Sequence, residues 1–74
     1  MTLANAKIGI TYIVESIDLN LGTKRRLGAL GITKGTNIKM IGRNGGGAVI
    51  FMVRGSRLAA GKQIAESIEI RRQN

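Results

Sequence analysis

The chain has 74 residues, no cysteine, no histidine and a formal charge of +8. That length allows one small core and excludes a multidomain enzyme; a domain of this size buries only about 60% of the surface its unfolded chain exposes. Without Cys there is no disulfide framework or thiol chemistry, and without His the usual general base at neutral pH is missing.

Ile8 to Ile17 (IGITYIVESI) repeats with a period of two and predicts a strand. Ile8, Ile10, Tyr12 and Val14 share one face; Ile13 and Ile17 share the other with Thr11 and Glu15. Asp18 and Asn20 mark the following turn. Lys24 to Leu30 (KRRLGAL) is the helical candidate, with Leu27 and Leu30 on one face and Lys24, Arg25 and Arg26 spread over the rest. Gly31 stands where a helix commonly ends in a left-handed residue. Gly28 costs about 1 kcal/mol relative to Ala, so packing must hold this helix.

Thr33 to Thr36 reads as a turn and Asn37 to Arg43 as a strand. Asn44-Gly45-Gly46-Gly47 is a hairpin signal, because Asn and Gly both tolerate positive φ. Ala48 to Arg54 (AVIFMVR) is a continuous apolar strand, with Val49, Phe51 and Val53 facing one way and Ile50 and Met52 the other. Gly55-Ser56 turns the chain into a short segment, Arg57 to Ala60. Gly61 to Glu66 is a connector with room for one helical turn. Ser67 to Arg71 (SIEIR) closes the domain as a strand with Ile68 and Ile70 inward, and Arg72 to Asn74 form a frayed end. The sum is one mainly β domain spanning residues 1–74: about five short strands in a small curled barrel with a short helical insertion, whose closure removes exposed edges.

The chemistry available is narrow. Glu15, Asp18, Glu66 and Glu69 are the four acids, and the alternation of SIEIR separates the last two. Neither catalysis nor a metal or cofactor site is expected from this set. Gly55 to Gln63 approaches a P-loop, but five residues instead of four part its glycines and Gln63 replaces the Ser or Thr that would hold Mg²⁺. Lys24-Arg25-Arg26 is the most localised charge: a solvated helix face, or a site for an acidic partner, since Arg pairs with carboxylates and phosphates. Tyr12 and Phe51 are the only aromatics, so nucleic-acid binding would be led by the phosphate backbone. A disulfide-free chain whose N-terminus places Lys7 inside its apolar stretch, and which has no membrane-length apolar run, is expected in the cytoplasm.

Several segments in a fixed order carry a resemblance. They are Gly9 before the first strand; Arg26-Leu27-Gly28-Ala29-Leu30-Gly31-Ile32 followed by Lys34-Gly35-Thr36; Val53-Arg54-Gly55; Arg57-Leu58-Ala59; and Ala65 with Ile68 and Ile70. Together they resemble the ferrous iron transport protein A (FeoA) family over nearly the whole chain. The resemblance implies an SH3-like barrel, also found at the C-terminus of iron-dependent repressors, and a non-enzymatic role beside FeoB, a membrane transporter with a cytoplasmic GTPase domain. The expected partner-binding residues are Arg25, Arg26 and Leu27, with Leu30 and Gly31 shaping the helix; Leu27 is the candidate for an exposed apolar anchor and Leu30 belongs to the core, the alternative being that both leucines are core residues. Stimulation of the partner's GTP hydrolysis by Arg25, Arg26 or Arg57 in trans is one alternative, and a backbone-directed nucleic-acid module is another.

Overall fold

The chain forms five strands: β1 (Thr11–Ile17), β2 (Asn37–Arg43), β3 (Val49–Val53), β4 (Ser56–Ala60) and β5 (Ile68–Arg72). Two helices interrupt them, α1 (Leu21–Ala29) and α2 (Lys62–Glu66), and a 3₁₀ turn, Leu3–Asn5, precedes them. The computed structural model describes residues 1–73. The strands form one antiparallel sheet in the order β4-β3-β2-β1-β5. The sheet curls as an SH3-like fold around one core, in which Tyr12, Val14, Ile38, Met40, Val49, Phe51, Val53, Ile68 and Ile70 are all buried. Leu3 and Ala6 bring the N-terminal segment into that core. The Arg43 guanidinium holds this segment by donating to the Ala4 and Ala6 carbonyls at 3.0 and 2.6 Å. Tyr12, the largest fully buried side chain, accepts at its hydroxyl from the Lys7 backbone N–H at 2.9 Å.

Two bulges change what strict alternation predicts. In β1, Val14 opposes Ile70 and Ser16 opposes Glu69, so Glu15 is an extra residue. The side-chain register shifts there, and Ile17, expected opposite Val14, packs partly buried against the core. In β2 the extra residue is Ile41, which is exposed.

Other boundaries also move. β1 begins at Thr11 because Gly9, at φ +87°, turns the chain just before it, leaving Ile8 exposed. The β3–β4 turn is Arg54-Gly55, one residue earlier than expected; both have positive φ, the type I′ pattern that matches strand twist. Arg72 pairs with Tyr12 in β5, so the end is ordered further than expected, while Asn74 lies outside the described residues.

The ladder does not close. β4 and β5 are the two ends of the sheet, linked by α2, and they differ. The N-terminus covers β5: Thr2 bridges Glu69, and the Ile70 N–H donates to the Met1 carbonyl at 2.8 Å. The expectation that closure removes every edge therefore fails at β4, whose one partner strand among the described residues is β3.

Candidate functional site

α1 is held by its two ends. Asn20 is the N-cap, its side-chain oxygen accepting from the Thr23 N–H at 2.9 Å. That cap starts the helix at Leu21, three residues before the predicted Lys24. At the other end, Gly31 has φ +91° and its N–H reaches the Gly28 carbonyl, while the Ile32 N–H reaches the Leu27 carbonyl, both at 2.9 Å. This is a Schellman cap, completed by the burial of Leu27 and Ile32 in the same core cluster. Beyond it, the buried Thr36 hydroxyl donates to the Gly31 carbonyl and accepts from the Thr33 N–H, each at 3.1 Å. Thr36 and Gly35 then bond to the backbone of Val14 at 2.9 and 2.8 Å. The Arg26–Thr36 stretch thus fixes the exit of α1 against β1.

The five predicted site residues separate into different roles. Leu27 is buried at 7% exposure and Leu30 stands out at 55%, the reverse of the expected assignment. The cap explains the exchange: Leu30 is the C-cap, where the chain leaves helical geometry, and its side chain is exposed there. Gly31 is structural, and the Arg54 side chain covers it; a Cβ there would lie 3.0 Å from Arg54 Cδ. Arg25 and Arg26 are exposed, and neither is in an ion pair among the described residues.

Between α1, β4 and α2 lies a groove of about 530 Å³. Its floor includes the buried Leu27, Ile32, Phe51 and Ile68. Leu19, Leu30, Leu58 and Ile64 form its apolar walls, with Asn20, Thr23, Arg26 and Gln63 contributing polar groups. Arg26 is the one charged side chain among the lining residues. Arg25 and Lys24 diverge from it, as successive helical residues must; Lys24 lines a separate hollow beside Glu15 and Lys34. Leu58 and Ile64 escaped sequence reasoning because β4 and α2 meet α1 only through the fold. Arg54 escaped as well, although its positive φ before Gly55 marks the turn.

Two of the four carboxylates are engaged elsewhere. Glu69 lies 3.4 Å from the N-terminal ammonium and Glu15 lies 3.6 Å from the Arg71 guanidinium. Among the described residues no three potential ligands gather. With neither His nor Cys present, this donor set does not fit a tight Fe²⁺ or Zn²⁺ site. Among the described residues no helix is long and apolar enough to cross a membrane. The groove offers an apolar floor, an exposed leucine and a guanidinium with no ion-pair partner among the described residues, which suits binding a side chain from another molecule.

Known proteins share this fold. A protein of Methanocaldococcus jannaschii assigned as an Fe(2+) transport protein A is 41% identical over 68 residues, covering 92% of this chain and 82% of that protein. The solution structure of a FeoA protein from Chlorobium tepidum superposes with a TM-score of 0.91 at 25% identity, over 100% of this chain and 71% of that one. FeoA from Stenotrophomonas maltophilia, a prokaryotic SH3 domain protein solved with zinc, superposes with a TM-score of 0.77 at 28% identity, over 96% and 89%. The FeoA domain model matches residues 1–72. The chain belongs to the FeoA family of ferrous iron transport accessory proteins.

Proposed function

We propose that this protein is a non-enzymatic cytoplasmic accessory that binds and regulates the ferrous iron transporter FeoB, docking on its cytoplasmic part through α1 and the groove beside it. The observation that carries this reading is Arg26, unpaired among the described residues, at the edge of an apolar groove next to the exposed Leu30. Buried apolar anchors and arginines dominate interface energies, and a guanidinium adds directional bonds to a carboxylate. An activating role in ferrous iron transport has been put forward for the Stenotrophomonas maltophilia protein, which supports the same direction here. Ferrous iron is then the transporter's cargo and not a ligand of this chain.

Arg25 favours one second reading. It is exposed, unpaired among the described residues and does not line the groove, which leaves it available to meet the partner's nucleotide while the groove docks. Nucleic-acid binding has less support, because Tyr12 and Phe51 are both buried and offer no ring for a base to stack on. The test is a pull-down of FeoB cytoplasmic domains together with their GTP hydrolysis rate. Wild type is expected to be retained and Arg26→Glu to be lost. Equal retention of both would overturn the site, and a hydrolysis rate unchanged by bound protein would reject Arg25 as an arginine supplied in trans.

A further inference from the structure

The uncovered edge of β4 forms one wall of the groove. The type I′ turn at Arg54-Gly55 makes Val53 and Ser56 the closing hydrogen-bonded pair, and pairs alternate from there. Phe51 with Leu58 and Val49 with Ala60 therefore exchange ladder bonds. Arg57 and Ala59 occupy the non-bonded positions, so their N–H and C=O groups point away from β3. Among the described residues neither has another backbone partner or a side-chain partner, and both are exposed. The opposite edge at β5 is covered in its middle by the protein's own N-terminus, at Glu69 and Ile70. Leu58, Ala59 and Ala60 of this open edge line the same groove as Arg26 and Leu30 across from it.

We propose that β4 receives an extended acidic segment of a partner as a sixth strand, laid between β4 and α1. The segment bonds through its backbone to Arg57 and Ala59. Its alternate side chains point either to the apolar floor beside Leu27 and Phe51 or outward to the cations. Strand addition of this kind takes its affinity from main-chain bonds and its specificity from pockets for every second side chain. The five residues of β4 span about 17 Å, enough for a segment of that length at about 3.3 Å per residue.

Charge selects the occupant. Arg26 lines the groove, Arg57 lies on the edge strand, and Arg54 and Lys62 flank it in sequence, whereas among the described residues no acid lines the groove. A second copy is disfavoured as the sixth strand because both chains carry +8. This inference rests on the reading of the chain as a docking module and specifies how the docking is made.

The experiment uses the full ¹⁵N-labelled chain and a nine-residue peptide alternating Glu and Val. Its controls are the same peptide with Lys for Glu and one methylated on alternate backbone nitrogens. The Glu peptide is expected to slow solvent exchange of the Arg57 and Ala59 amides at least tenfold, and both controls to bind at least tenfold more weakly. Ala59→Pro removes an outward N–H at an edge position where proline is tolerated, and is expected to weaken the peptide by a similar factor. Because the wild-type exchange result stands alone, a poorly folded Ala59→Pro protein does not blunt the test. Absence of binding at millimolar peptide, or binding without protection at Arg57 and Ala59, would overturn the proposal. Protection that rises with protein concentration alone would also overturn it, in favour of a second copy. Retention of FeoB domains by a folded Ala59→Pro protein would refute strand addition and leave docking intact, whereas failure of wild type to retain them would refute the docking reading itself.

Discussion

Leu27 and Leu30 lie one helical turn apart, yet one is core and the other is surface. Truncating Leu27 to Ala removes a buried side chain and is expected to cost about 2–4 kcal/mol in urea unfolding. Leu30→Ala is expected to change stability by less than about 0.5 kcal/mol, as surface substitutions usually do. Equal losses at the two positions would contradict this division. The pair also shows where reading by residue type stops. Helical spacing correctly placed both leucines near one face, but the cap at Leu30 decides which of them leaves it. The arginines were legible as charge only: Arg43 ties down the N-terminal segment, Arg54 covers Gly31, and Arg26 has no ion-pair partner among the described residues. Those three fates depend on contacts between distant segments, which periodicity does not encode.

Glycine separates intrinsic preference from packing within α1. A Cβ at Gly28 would lie 3.8 Å from Thr33 Cγ2, an ordinary contact, and φ there is helical. Gly28→Ala is therefore expected to stabilise by up to about 1 kcal/mol. Gly31→Ala places a side chain at φ +91° and against Arg54, and is expected to destabilise by about 1–2 kcal/mol. For a domain of this size each kcal/mol moves Tm by about 4–8 °C, so thermal unfolding of the two variants should shift in opposite directions. Strands β2, β3 and β5 were legible because apolar alternation survives in their buried faces. The start of α1 was not, since Asn20 signals both a turn and a cap. The bulges at Glu15 and Ile41 were also hidden, because an extra residue looks like ordinary sequence until its partner strand is known.

For the whole molecule, the charge of +8 is divided between structural and available cations. The groove gathers Arg26 and an exposed leucine at the place where the sheet is left open, between α1 and β4. The barrel class was readable from five short strands with glycine turns, whereas the open edge was not: whether the ends of a curled sheet meet depends on how much the N-terminus and α2 fill between them. The central claim, that this groove docks the transporter, is tested most directly by calorimetric titration of FeoB cytoplasmic domains into wild type, Arg26→Glu and Leu30→Ala. The account predicts saturable binding to wild type, at least about tenfold weaker binding to each variant, equivalent to about 1.4 kcal/mol, and an unchanged Tm for Leu30→Ala. Wild-type affinity in both variants would contradict it.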